Sequence, residues 1–300
     1  PSSGTPSVTE IAESLLPVDL GIRPLLPADF ARVQRLLHEA AGIWIADGKQ
    51  ALVTGRLARR VRQLGLDSFG AYLDAVDQDR TGAERTLLIE AMCTHETAFF
   101  REPGQFAFLE GTLVPAWVAE ARRGQRARRL RIWSAGCATG EEPYSIAMSL
   151  SAHLPPEEGW QVEILATDLS RRVLARARTG IWPLARAAAI PPGYLRRYMR
   201  RGRGAQQDRL AAGTALRRLI RFAPLNLAEG PYPIGATFDA IFCRNVLIYF
   251  DHDRRQRTHR HLLEALAPGG VLFLGHAETL HAEVGPVERL HPSIYRRRPS

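Results

Sequence analysis

Arg131-Ile-Trp-Ser-Ala-Gly-Cys-Ala-Thr-Gly-Glu-Glu-Pro-Tyr-Ser145 is the stretch that decides the fold. An apolar, β-prone run feeds a short turn with glycines at 136 and 140. The turn opens onto a helical segment, Glu141 to Leu154. Strand, glycine turn and helix in that order form the nucleotide-binding corner of an open α/β sheet. Glycine lets the backbone turn tightly and lets a ligand approach it closely. The loop alone leaves a dinucleotide, an adenosyl cofactor and a phosphate all open.

The residues behind the turn choose among them. A dinucleotide site needs a helix N-terminus left free for pyrophosphate. Here Glu141 and Glu142 occupy it. They suit the helix dipole but repel a diphosphate. A ligand with a positive end fits better, and S-adenosylmethionine carries a sulfonium and an ammonium. Val162-Glu-Ile-Leu-Ala-Thr-Asp168 reads as the next strand and ends in a carboxylate. Asp168 stands where an acidic residue meets ribose hydroxyls; alternatively it caps the helix that begins at Ser170.

The 300 residues suffice for one large domain or two ordinary ones, and 45% apolar content supports real cores. No apolar run approaches the roughly 20 residues of a membrane span, and no secretory leader pattern opens the chain. Cys93, Cys137 and Cys243 are widely spaced and form no paired metal motif. Reduced thiols, a cytoplasmic location and no metal are expected. The net charge of +9 suits a polyanion partner, but Lys49 is the only lysine. Such arginine use reflects codon bias as much as selection for charge, so basicity matters only where arginines cluster.

Along the chain, residues 1–18 read as a mobile tail and 19–93 as a small helical domain. Apolar residues recur at helical spacing after Asp29, Asp47, Asp67 and Thr81. Residues 94–104 read as a linker. From 105 to 300, helices (105–122, 141–154, 170–179, 252–267) alternate with strands (131–135, 162–167, 219–223, 238–242, 270–275). That alternation predicts a mostly parallel sheet with helices on both faces. Residues Val287 to Arg297 add a closing antiparallel pair. About 180–218 is too long for a loop and predicts an inserted subdomain.

Three further places carry chemistry. Arg56, Arg59, Arg60 and Gln63 share one helix face, flanked by Arg62; this is a solvated arginine face or a docking surface for an acidic helix or phosphates. Arg101 follows two phenylalanines in the linker, so it is held, either in an interdomain salt bridge or to recognise a carboxylate. Phe238-Asp-Ala-Ile-Phe-Cys-Arg-Asn-Val-Leu-Ile-Tyr-Phe250 is a buried strand with Arg244-Asn245 at its carboxyl end, where ligands of open sheets sit. Tyr249 follows within reach of the same crevice, or serves as a core tyrosine. Cys243 reads as a buried thiol.

These stretches, with Thr94-His-Glu-Thr-Ala-Phe-Phe-Arg-Glu102 and Gly270 to Glu278, resemble the chemotaxis receptor methyltransferases of the CheR type. The resemblance implies a helical N-terminal domain, a Rossmann-like S-adenosylmethionine-dependent methyltransferase domain and a small antiparallel β-subdomain inserted in it. It implies methyl transfer from S-adenosylmethionine to receptor glutamates, leaving S-adenosylhomocysteine. It places cofactor contacts at His95, Thr97, Arg101, Gly136, Glu142, Asp168, Asn226, Leu227, Arg244 and Asn245. His95 stands where family members commonly carry asparagine. The resemblance puts Arg101 and Tyr249 beside the transferring methyl. It makes the helix of Arg56, Arg59, Arg60 and Arg62 a docking face for the acidic methylation helices of cytoplasmic receptor domains. A receptor tether peptide would meet the β-subdomain near Arg201-Gly-Arg-Gly204. A monomer that binds no nucleic acid and does not enter the membrane is expected. The competing reading is a nucleic-acid methyltransferase, which would explain the charge; its Asn/Asp-Pro-Pro-aromatic and Pro-Cys motifs are missing from the segment around Arg244.

Overall fold

The computed structural model describes residues 21–280 and 284–298. The tail expected over 1–18 lies outside them. The chain divides into two compact units. Among the described residues, one comprises 21–36 together with Ile45–Met92; the other comprises Leu37–Trp44 and those from Cys93 onward.

The first unit is helical: α1 (Pro27–Ala41, whose last turn belongs to the second unit), α2 (Gln50–Gln63), α3 (Phe69–Gln78) and α4 (Ala83–Met92). The stripe Val53, Leu57 and Val61 of α2 is fully buried with Tyr72, Leu73 and Leu88. Ser68 caps α3, accepting the Ala71 N–H at 3.2 Å. The arginine face expected on α2 is divided. Arg60 makes a bidentate pair with Glu84, at 2.8 and 2.6 Å. Arg56 donates to the Met92 carbonyl. Arg59 and Arg62 are exposed.

The second unit is built on a seven-stranded sheet in the order β6-β2-β1-β7-β8-β10-β9. The strands are β1 (Arg129–Ala135), β2 (Gln161–Asp168), β6 (Ile220–Pro224), β7 (Phe238–Cys243), β8 (Leu266–Leu274), β9 (Val287–His291) and β10 (Ile294–Arg297). The first five pair in parallel; β10 runs antiparallel to β8, and β9 to β10. The helices are α5 (Pro103–Phe108), α6 (Val114–Arg122), α7 (Glu141–His153), α8 (Arg171–Thr179) and α11 (His252–Ala265). Central strands buried on both faces, such as β1 and β7, read as near-continuous apolar runs for that reason.

Sheet order fixes where a ligand sits. The chain moves outward from β1 through β2 to β6, then returns to β7 on the other side of β1. The loops after β1 and β7 therefore diverge, which opens a crevice at their carboxyl ends.

Two elements differ from their sequence reading. The helix expected over 105–122 starts at Pro103 and is interrupted by a π-turn at Leu109–Leu113. Pro115 has no N–H to give the turn before it, and a wider turn absorbs that loss. The strand expected from 270 starts at Leu266.

Between α8 and β6 stands a three-stranded antiparallel sheet, β3-β5-β4, with β3 at Ile181–Pro183, β4 at Met199–Arg201 and β5 at Arg209–Ala212. It carries the short helices α9 (Pro192–Tyr198) and α10 (Thr214–Leu219). Ala212 N donates to Gly180 O at 2.9 Å, so the insert closes at its base. No helix among the described residues is long and apolar enough to cross a membrane.

Candidate cofactor and active site

The turn after β1 is shaped by its glycines. Gly136 has φ +83°, and a Cβ there would stand 2.4 Å from Val246 Cγ2. Gly140 has φ +96° and packs on Ala177. Gly136 N and Cys137 N both donate to Thr167 O, at 2.8 and 2.9 Å, which joins the ends of β1 and β2. Burial raises the Cys137 and Cys243 thiols well above their usual range, so both stay protonated.

Glu141 and Glu142 diverge. Glu141 accepts from Thr139 Oγ1 at 2.6 Å. Glu142 accepts from Ser134 Oγ at 2.7 Å and from Arg244 Nη1 at 3.2 Å. Burial raises the Glu142 carboxyl, and the Arg244 charge and the Ser134 hydroxyl only partly oppose it.

Arg244 is the hub. Its side chain is 2% exposed and pairs with both Glu142 and Glu102, each at 3.2 Å. Its guanidinium lies 5.7 Å over the Phe106 ring and also bonds the Arg101 carbonyl. Glu102 in turn accepts from His276 N at 3.2 Å. Burial works to raise the Glu102 carboxyl, but Arg244 and the His276 N–H outweigh it, and the group is lowered.

Arg101 is exposed and donates to Glu96 O at 3.1 Å. The residues on either side of it, Phe100 and Glu102, both have left-handed backbones. Phe100 N donates to Ser145 Oγ at 3.0 Å, and its ring stacks on Tyr194 at 5.3 Å. Tyr194 belongs to the insert and donates to Glu110 at 2.8 Å.

Asp168 closes the far side of the turn. It accepts from Ala138 N and Ser170 N, both at 2.9 Å, and lies 4.0 Å from His95 Nε2. The cap of α8 is Ser170, not Asp168, since the Ser170 hydroxyl takes the Val173 N–H. Thr97 gives its carbonyl to Arg186 at 3.0 Å.

The remaining expected contacts sit after β6 and β7. Asn226 uses its side chain within the chain: Nδ2 bonds Ala40 O and Glu229, and Oδ1 takes the Ala228 N–H. Leu227 is buried beneath it. Asn245 is left-handed at φ +59°. Tyr249 ends a short 3-10 turn, half-buried, and its carbonyl accepts from Trp44 N at 2.7 Å.

Sequence reasoning missed Glu102 as an ion-pair partner and missed Glu278 altogether. Glu278 is buried and accepts four main-chain N–H groups, from Gly275, Asn245, Val246 and Leu247, at 2.7 to 3.0 Å. It sets the path of the loop that carries Arg244, Asn245 and Tyr249. Burial raises its carboxyl even so. The only sequence signal was its place within Gly270 to Glu278.

The donor set fits a cationic adenosyl cofactor. The β1 turn has no basic side chain to cradle a pyrophosphate, and it presents Glu142 and Asp168 instead. Asn245 Oδ1 is buried with no hydrogen-bond partner among the described residues. No group of three or more His, Cys, Asp or Glu among them could hold a metal ion.

Comparison with known proteins agrees. The family description "CheR methyltransferase, SAM binding domain" matches residues 95–294, and "CheR methyltransferase, all-alpha domain" matches 28–93. The chain is similar to the chemotaxis protein methyltransferase of Salmonella typhimurium, 41% identical over 85% of this chain and 84% of that one. The Escherichia coli protein of the same name is 41% identical over 85% of each chain. Chemotaxis protein methyltransferase 2 of Pseudomonas aeruginosa is 40% identical over 85% of this chain and 88% of that one. With both domains matched and the glycine turn in place, the chain belongs to the CheR family of S-adenosylmethionine-dependent methyltransferases.

Proposed function

We propose that this enzyme esterifies glutamate side chains of chemoreceptors, giving glutamyl methyl esters and S-adenosylhomocysteine. When bound, S-adenosylmethionine supplies a methyl group made electrophilic by the adjacent sulfonium. A glutamate carboxylate, with a pKa of about 4.3, is already ionised at neutral pH. The chain therefore needs no general base; its work is to orient the acceptor and exclude water.

The observation that carries this reading is the placement of Arg101. Its carbonyl is tied to Arg244, the residues flanking it are fixed in unusual backbone conformations, and its side chain is exposed. A guanidinium so placed suits a carboxylate. Arg101 orients either the acceptor or the cofactor's own carboxylate, and Tyr249 donates to the non-attacking acceptor oxygen. Glu142 receives the ammonium and Asp168 the ribose. His95, Thr97, Gly136, Leu227, Arg244 and Asn245 complete the cofactor site. Asn226 contributes by main chain, because its side chain is engaged in its own turn.

Arg59 and Arg62 form the docking face for the acidic methylation helices, with Arg56 and Arg60 behind them. Residues 94–104 are a linker that contributes to the active site, and the insert meets a receptor tether. The enzyme acts as a cytoplasmic monomer without a metal. The names of the relatives favour this reading over a nucleic-acid substrate.

The test is a filter assay with methyl-labelled S-adenosylmethionine, offering receptor membranes or RNA. Label on receptor membranes that mild alkali releases as methanol supports a carboxyl ester. Label on RNA, or alkali-stable label on protein, sinks it.

A further inference from the structure

Trp44 is the exposed tryptophan of the chain. It is 59% exposed, whereas Trp117, Trp133, Trp160 and Trp182 are all 6% or less. Burying an indole removes a large apolar area from water, so a free one is an unused contact. Its main chain is fixed. Ile43 makes an antiparallel bridge to Phe250, and the Trp44 N–H bonds the Tyr249 carbonyl at 2.7 Å. That bond holds the Trp44 main chain against Tyr249, the last residue of the 3-10 turn Leu247–Tyr249.

The surroundings are cationic. Arg255 donates to Phe250 O of the bridge at 2.9 Å, and Arg254 to His38 O in the last turn of α1. His38 meets the Trp44 ring edge-on at 6.0 Å and also bonds Asp251, the neighbouring carboxylate. An exposed aromatic beside fixed positive charge complements an acidic amphipathic helix.

We propose that Trp44 is a substrate-contacting residue whose indole receives an apolar side chain of the receptor helix, one turn from the glutamate being methylated. This rests on the assignment of receptor glutamates as substrate and of Tyr249 to the active site. Residues one turn apart on a helix are neighbours on its surface, so an exposed indole whose main chain is bonded to that of Tyr249 reads a residue near the acceptor. Trp44 thereby selects which glutamates are methylated.

The test uses the full chain with S-adenosylhomocysteine and a soluble cytoplasmic fragment of a chemoreceptor in its glutamate form. Acrylamide quenching of tryptophan fluorescence reports the one exposed indole. Adding the fragment lowers the quenching constant at least twofold, and Trp44→Phe abolishes that change. In turnover, Trp44→Ala raises KM for the fragment about 5–10-fold, changes kcat less than twofold and leaves S-adenosylhomocysteine affinity unaltered; Trp44→Phe restores most of the KM. A methylated fragment that alters neither quenching nor the KM of Trp44→Ala overturns the proposal while leaving the substrate assignment standing. Quenching that falls with enzyme concentration alone assigns the indole to self-association and overturns it too. A fragment that wild-type enzyme does not methylate, where another protein or RNA is methylated, overturns the substrate assignment and this proposal with it.

Discussion

Phe100 and Glu102 are both left-handed, at φ +50° and +58°, with Arg101 between them. Each such conformation costs a non-glycine residue about 1–2 kcal/mol. It persists because neighbours hold it: Ser145 and Tyr194 on one side, Arg244 and His276 on the other. Strain of this kind gathers at functional sites. Arg101→Ala is therefore expected to fold normally, since the side chain is exposed, with stability within about 0.5 kcal/mol of wild type. Methyl transfer should fall about 10²–10³-fold, the usual loss for one preorganised group. Thermal melting and labelled-methyl turnover check both halves.

Arg244 neutralises two carboxylates out of water. Arg244→Met removes the cation and leaves Glu102 and Glu142 buried together, which should cost about 3–5 kcal/mol. Urea denaturation measures the loss. The double variant with Glu102→Gln should recover part of it, because the two effects share one network.

Glu142 and Glu102 give opposite pH signatures. Glu142 is raised in the fold, so its contribution to stability is full below its unfolded value and is lost as pH rises through the folded one. Glu102 is lowered, so its contribution is present above its unfolded value and is lost as pH falls through the folded one. Glu142→Gln should therefore raise the melting temperature at pH 7 to 8. The same change should weaken S-adenosylhomocysteine binding about tenfold, or ~1.4 kcal/mol. Wild-type affinity should fall as pH drops toward the raised Glu142 range, and the variant should show a flat profile. Calorimetry across pH 5 to 8 decides the matter; a variant as tight-binding as wild type would remove Glu142 from the cofactor site.

Gly136→Ala should fail doubly. The φ of +83° is strained for any side chain, and the new methyl would meet Val246 at 2.4 Å. Stability should drop by more than about 1 kcal/mol, with cofactor affinity falling further than that loss alone explains. Parallel melting and binding curves separate the two.

Charge reversal at Arg59 and Arg62 should weaken receptor methylation severalfold, more at low salt than at high, with cofactor affinity unchanged. Arg60→Glu is a poor probe of docking, because it breaks the bidentate pair with Glu84 inside the helical unit. It should lower the melting temperature where the other two do not.

What could be read from sequence was local. The glycines at 136 and 140 and the apolar runs of β1 and β7 announce themselves over a few residues, because their causes act over a few residues. The parallel sheet and the insert followed from alternation and spacing. Arg244 illustrates what could not be read. Its residue type and its place after a strand marked it for the crevice, yet its partners Glu142 and Glu102 stand 102 and 142 positions away. Nothing in the spacing of Glu102, Glu142 and Arg244 says that one guanidinium joins them. Glu278 is harder still, since a carboxylate filled by four main-chain N–H groups leaves no side-chain partner to look for. The arginine face of α2 is divided for a related reason: helical periodicity fixes which residues share a face, but Glu84 and the Met92 carbonyl, on another helix, engage Arg60 and Arg56.

The hydrogen bond from Ala212 to Gly180 gives the inserted sheet a closed base: the chain leaves and re-enters the large sheet at one point. Residues inside such a detour can be lengthened, trimmed or exchanged while the strands beneath keep their register. Tyr194, which stacks on Phe100, and Arg186, which bonds the Thr97 carbonyl, tie the insert to the linker that carries Arg101, so the outer strands β4 and β5 can diverge in sequence while those two residues stay bound to the methyl-transfer apparatus.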